Sequence, residues 1–106
     1  MKRTMPDLLP LEISEVVFTT ATTALAETGL LGFVSCCLNR ALRLDGLTLR
    51  RTQEGTLTLS FPARRDARGR QHHFVRPVDD QARREIERQV IEAIRFGDCE
   101  CLEPRA

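Results

Sequence analysis

Residues 79–97 constrain the fold more than any other stretch of the chain. Their apolar side chains recur three and four residues apart, which is the spacing of one face of a helix. Asp79 or Asp80 can cap the first turn, and Gly97 is a natural stop after the last turn. The apolar stripe consists of Ala82, Ile86, Val90, Ala93 and Ile94. A helix with one apolar stripe must bury it against another layer, which the rest of the chain has to supply.

The segments before this helix are typical of short strands. Apolar and polar side chains alternate in runs that are bounded by turn-forming residues. The runs cover residues 11–18, 30–38, 41–51, 56–61 and 72–78. Residues 19–29 fit either a loop or a helical turn closed by Gly29. We therefore predict an α+β fold, in which a small antiparallel β-sheet of four to five strands carries one C-terminal amphipathic helix.

A length of 106 residues predicts one domain, which we assign to residues 11–97. Residues 1–10 contain two prolines and are predicted to be a flexible N-terminal arm. Residues 98–106 carry a net charge of −2 and are predicted to be an acidic C-terminal tail. No apolar run approaches the roughly 20 residues that span a bilayer, and no secretory signal is recognisable. We expect a cytoplasmic protein without membrane contact.

The segment 41–51 allows two structures. Leu42 and Leu44 alternate in one phase, and Leu47 and Leu49 alternate in the opposite phase. Asp-Gly between two such runs is a strong hairpin signal. A single strand with a bulge at the glycine would produce the same change of phase.

The net charge of +1 conceals a basic cluster. Residues 61–78 hold five arginines against one aspartate, a net charge of +4. A cluster of guanidinium groups binds phosphate oxygens well, even on a molecule that is nearly neutral overall. A solvated loop is the alternative. The residues expected to contact DNA or RNA are Arg64, Arg65, Arg68 and Arg70, with Arg83 as an auxiliary and Arg84 as a weaker one.

Other candidate chemistry is weaker. The spacing of Cys36-Cys37 and Cys99-x-Cys101 is not that of zinc ligands, so we expect no metal and no cofactor. One of His72 and His73 should point inward and the other outward. The pattern contains no convincing catalytic constellation, which predicts a protein that is not an enzyme. Apolar strand patterns favour core positions for Phe33, Phe61 and Phe74, so we expect contacts with the phosphate backbone instead of a platform for stacking bases.

Residues 61–94, FPARRDARGRQHHFVRPVDDQARREIERQVIEAI, resemble the SpoVG family of bacterial septation and regulatory proteins. The shared pattern is Phe-Pro, a basic pair, a turn glycine, a Pro-Val step and a helix that opens with arginine. Residues 13–18 and 30–51 fit the family's first three strands more loosely. The segment 19–29 lacks the basic residues common in the family, and Glu85 stands where a basic residue is frequent. The arm and the tail lie outside the match.

The resemblance implies a cytosolic homodimer that binds DNA and RNA, modulates gene expression and affects septum formation. It also favours one strand with a bulge at Asp45-Gly46 over a hairpin. The alternative function is a protein-interaction module in cell division, with division proteins as partners and no direct binding of nucleic acid.

Overall fold

The computed structural model describes residues 10–104 and confirms the predicted α+β class. It contains a five-stranded sheet, a separate two-stranded sheet and one long helix. The elements in chain order are β1 (Ile13–Thr20), α1 (Thr23–Ala26), β2 (Leu30–Leu38), β3 (Leu42–Arg51), β4 (Leu57–Ser60), β5 (Ala63–Arg65), β6 (Gln71–His73), α2 (Asp80–Arg95) and β7 (Cys99–Leu102). Apart from Pro10, the predicted N-terminal arm lies outside the described residues.

The main sheet has the strand order β4-β3-β2-β1-β7. The first four strands are antiparallel neighbours, as predicted, but β7 pairs in parallel with β1. One expectation is therefore wrong, because the sheet is mixed and not purely antiparallel. Cys99–Leu102, within the predicted acidic tail, forms an edge strand of this sheet. The physical reason is that α2 carries the chain from the β4 edge to the opposite edge of the sheet, where β7 begins and runs in the same direction as β1.

One face of the sheet is covered by α2. Ile86 and Val90 are buried, and Ala93 and Ile94 pack against the same core, which confirms most of the predicted stripe. The sheet contributes Val16, Val34, Cys36, Leu44, Leu47, Leu49 and Leu59 to this core. Among residues 10–104, no helix of comparable length covers the opposite face, and Phe33 lies there with 42% of its surface exposed. The prediction that Phe33 belongs to the core is wrong, because its strand buries only the alternate side chains.

Two polar side chains of α2 bind the backbone of the sheet. The Gln89 side-chain amide donates to the Leu11 carbonyl over 2.7 Å, and its oxygen accepts from the Ile13 amide over 2.8 Å. Glu87 Oε2 accepts from the amide of Leu59 on the edge strand β4 over 2.9 Å. These bonds tie the helix to the first strand and to one edge of the sheet, and each satisfies a main-chain group outside the ladder.

The region around Gly46 is a bulge, as the resemblance favoured, and the hairpin alternative is wrong. Val34 pairs with Leu47 and Cys36 with Leu44, so β3 has one residue more than β2 at this point. Gly46 has a φ of +79°, where a glycine carries no steric penalty. The extra residue resets the alternation, and both Leu44 and Leu47 are buried on the same face.

We predict that Leu47→Ala lowers the free energy of unfolding by about 2–5 kcal/mol, because it leaves a cavity in a packed core. Leu47 is 0% exposed, whereas Leu42 on the same strand is 61% exposed. Leu42→Ala is the matched control and should change stability by about 0.5 kcal/mol or less. Denaturant unfolding followed by circular dichroism measures both. Equal losses in the two variants would contradict this description of the core.

Candidate nucleic-acid interface

The predicted basic segment folds into a β-hairpin that is separate from the main sheet. Ala63 pairs with His73, Arg64 with His72, and Arg65 with Gln71. At the base of the hairpin, the amide of Phe74 donates to the carbonyl of Pro62 over 3.0 Å. The basic side chains are therefore carried by an ordered two-stranded ribbon.

The turn of this hairpin is organised by one carboxylate, that of Asp66. Its Oδ1 atom accepts hydrogen bonds from the amides of Arg68 and Arg70, each over 2.9 Å. Its Oδ2 atom lies 2.7 Å from Nε2 of His72 on the returning strand. Gly69 closes the turn with a φ of +80°, and its amide donates to the Asp66 carbonyl over 3.0 Å. An aspartate that binds amides two and four residues ahead is a common way to hold a turn.

These hydrogen bonds favour the ionised form of the carboxyl group. The His72 hydrogen bond, followed by those from the Arg70 and Arg68 amides, lowers the pKa of Asp66 below its ordinary value. Asp66 is therefore an anion at neutral pH, and its charge supports the turn.

The structure brings the four candidate arginines of the segment together on this hairpin. Arg65 donates from its guanidinium to the Gly69 carbonyl over 2.9 Å, so it helps to hold the turn. Within residues 10–104, no carboxylate forms an ion pair with Arg64, Arg68 or Arg70, and all three are exposed. Their charges are available to a polyanion.

The fifth candidate, Arg83, is in a different situation. Its guanidinium lies 3.0 Å from Glu87 and 3.2 Å from Asp80, both on its own helix. Since Glu87 also binds the Leu59 amide, Arg83 helps to attach the helix to the sheet. Arg84, the weaker candidate, is paired with Asp80 over 3.0 Å. Arg83 and Arg84 thus have carboxylate neighbours on their own helix, whereas the arginines at the tip of the hairpin have none among residues 10–104.

Sequence reasoning missed two residues of this region. Asp66 organises the turn, and the spacing Asp-Ala-Arg-Gly was a signal that could have identified it. Arg76 is exposed and lines a groove of about 480 Å³ together with Arg83, between the hairpin, β4 and the start of α2. Only the tertiary structure places these two arginines on one groove, because they belong to different elements.

The hairpin also corrects two expectations about side-chain burial. His72 and His73 are both exposed, so neither points inward, because the hairpin covers no core. Phe74 is 69% exposed instead of belonging to the core, since it follows the hairpin in the connection to α2. Phe61 is half-buried against the core, as predicted.

A scan against models of known protein families finds no match to this chain, and a search of curated proteins finds none either. The likeness to SpoVG proteins stays a prediction from the sequence. In the described part of the chain, no group of three or more His, Cys, Asp or Glu side chains could hold a metal ion. Among residues 10–104, no helix has the length and apolar character needed to cross a membrane.

We predict that the amide signals of Arg68 and Arg70 shift on acidification with a midpoint below 3.8, the ordinary value for aspartate. The support from Asp66 is complete above the ordinary pKa and is lost as the pH falls through the lowered one. A pH titration followed by two-dimensional NMR measures the midpoint. Asp66→Asn should abolish this transition, and Asp45→Asn, at an exposed position, should leave it intact. A midpoint at or above 3.8 would disprove the assignment.

Proposed function

We propose that this protein binds nucleic acid through the β5–β6 hairpin. The observation that carries the proposal is the set of exposed arginines on an ordered turn, three of which have no carboxylate partner among the described residues. Solvated charged surfaces usually alternate in sign, as α2 does in this chain. A rigid cluster of one sign is instead suited to a phosphate backbone, because the charges are already positioned before binding.

The shape of the hairpin supports duplex DNA as one target. The major groove of B-DNA is about 12 Å wide and admits a two-stranded β-ribbon. Some DNA-binding proteins read DNA with strands in this way. With Arg64 on β5 and Arg68 and Arg70 in the turn, the ribbon would reach phosphates on both sides of a groove. RNA remains a second target for the same charges, through its phosphates.

The wider role that we propose is that of a SpoVG-type regulator, a cytoplasmic homodimer without catalytic activity that is linked to gene regulation or septation. The resemblance over residues 61–94 supports it, since that segment contains the hairpin and the helix. Exposed apolar side chains in the connection between them support a protein contact: Phe74 is 69% exposed and Val78 is 80% exposed. A second copy of the chain would cover these side chains and place a second hairpin in the same particle.

The same apolar side chains favour a second candidate function, a protein-interaction module in cell division. In that case the partner would be a division protein, and the arginines of the hairpin would be solvent-exposed without a binding role. A pull-down that is insensitive to nuclease and enriched in division proteins would favour this alternative.

We predict that the wild type binds labelled mixed-sequence DNA with an affinity that falls steeply between about 50 and 200 mM salt, because each neutralised phosphate releases counterions. The triple variant R64A/R68A/R70A should bind more weakly and reduce the slope of log K against log salt by about one for each arginine. Fluorescence polarisation with duplex DNA and with RNA provides the measurement.

The control variant, R84A/R88A/R95A, removes the same number of positive charges from α2. It should retain most of the affinity and the salt slope, since Arg84 and Arg88 are neutralised by carboxylates of the same helix. Equal losses in the two variants would mean that net charge matters and the hairpin does not. Absence of binding by the folded wild type at low salt would exclude the proposed function.

We further predict that the wild type sediments as a dimer, at twice the 12.0 kDa of the chain. The double variant F74S/V78S should shift the equilibrium toward the monomer, because it removes apolar contact area from an interface. Analytical ultracentrifugation at several concentrations measures the effect. L42S, at an exposed leucine of the main sheet, is the control and should leave the association unchanged. A monomeric wild type at all concentrations would exclude the homodimer.

A further inference from the structure

Two thiols lie in contact on the edge strand β7. Cys99 and Cys101 are alternate residues of the strand and face the same side of the sheet. Their Sγ atoms are 3.0 Å apart, and both cysteines are free. Cys101 is exposed, whereas Cys99 is half-buried and packs against the core. Because an S–S bond is about 2.05 Å long, the two sulfur atoms must approach by about 1 Å to form one.

The other two cysteines lack this arrangement. Cys36 and Cys37 are adjacent on β2, so their side chains point to opposite faces of the sheet. Cys36 is 0% exposed within the core, and the Cys37 thiol donates to Glu15 Oε2 over 3.2 Å on the open face. The chain therefore contains one pair of thiols that can react with each other and one adjacent pair that cannot.

We propose that Cys99 and Cys101 form a thiol-exchange site for low-molecular-weight disulfides, which closes to an intrastrand disulfide. This inference is independent of nucleic-acid binding. In the first step the Cys101 thiolate attacks a disulfide RSSR, which forms a Cys101–S–S–R bond and releases RS⁻. In the second step the Cys99 thiolate attacks Sγ of Cys101 and releases a second RS⁻. The two thiol protons pass to the two leaving groups, so the protein loses two electrons and RSSR gains them.

The surroundings assign different roles to the two thiols. Exposure makes Cys101 the residue that meets the incoming disulfide. Burial and the adjoining Cys101 thiol raise the pKa of Cys99 to about 11, which disfavours Cys99 for the first attack. In the second step Cys99 gives up its proton as it attacks, and the departing RS⁻ takes up that proton. Once Cys101 carries the mixed disulfide, Cys99 is the nearest sulfur and completes the exchange.

Charge around the pair selects the kind of disulfide. Asp98 precedes Cys99, Glu100 lies between the two cysteines, and Glu103 follows them. Beside Cys99, the acidic residues Glu15, Asp98 and Glu100 line a groove whose lining includes one basic residue, Arg43, so negative charge is in excess there. A negative environment attracts cationic reagents and repels anionic ones. We therefore expect the order cystamine, then hydroxyethyl disulfide, then oxidised glutathione, with differences that shrink as salt is added.

Closure of the disulfide acts on the strand itself. Alternate residues of a strand have Cα atoms about 6.6 Å apart, near the upper end of the roughly 4.4–6.8 Å range for disulfides. The bond would draw β7 together and loosen its pairing with β1, in which Phe18 lies opposite Cys101. The Thr20 hydroxyl, which donates to the Leu102 carbonyl over 3.3 Å, lies at the same end. Oxidation is therefore expected to speed amide exchange in residues 100–102.

The test uses the reduced, full-length protein with each of the three disulfides, followed by intact mass and thiol titration. The wild type should lose two hydrogen atoms and fall from four free thiols to two, and dithiothreitol should restore all four. C99S should stop at a stable mixed disulfide on Cys101, and C101S should form no intramolecular disulfide. C37S, the matched control, should still form the bond, with circular dichroism confirming the fold of each variant.

Several results would overturn the proposal. A wild type that stops at an adduct on Cys101 would show that the second step does not occur. Disulfide-linked dimers in place of the internal bond would show that Cys101 reacts between molecules. Loss of the internal bond in C37S would place the reactive pair elsewhere. Reagent order reversed in favour of oxidised glutathione would contradict the assigned electrostatics.

Discussion

The burial of one helix stripe against one sheet face is the interaction on which the rest of this structure depends. Ile86 and Val90 lie at its centre, and apolar burial of this kind is the main favourable term in folding. The same packing positions both regions to which we assign a function. The hairpin leads into the start of α2, and the thiol pair follows its end on a strand that also pairs with β1.

Hydrogen bonds of two polar side chains then fix the position of α2 on the sheet. The Gln89 side chain forms hydrogen bonds with the Leu11 carbonyl and the Ile13 amide, in place of a neighbouring strand. Glu87 accepts a hydrogen bond from the Leu59 amide on the β4 edge. Arg83 forms an ion pair with Glu87 and so contributes to this attachment of the helix. An arginine close to the basic hairpin therefore has a structural role. The two edges of the main sheet differ in structure. The β4 edge is contacted by a side chain of α2, whereas the β7 edge carries the two thiols.

The distribution of charged residues, and not the net charge of +1, determines where this protein can attract an anion. On α2, arginines alternate with acids at helical spacing, and ion pairs such as Arg83 with Glu87 neutralise them locally. On the hairpin, the single acid, Asp66, is occupied by amides and a histidine, so it holds the turn without neutralising the arginines around it. One carboxylate thus gives the loop its order and leaves its positive charge exposed.

Local patterns in the sequence determined the elements that depend on near neighbours. The three-and-four spacing of α2, the alternation of the first four strands, and the cluster from Arg64 to Arg70 could all be read directly, because helix faces, pleats and turns repeat over a few residues. Only the tertiary structure decided which groups meet from distant parts of the chain. The parallel pairing of Cys99–Leu102 with β1, the exposure of Phe33 on the uncovered face, and the hydrogen bond from the Leu59 amide to Glu87 all depend on how α2 crosses the sheet. A local pattern specifies that a face is apolar or charged, but the partner that covers or neutralises it is chosen by the packing of elements far apart in sequence.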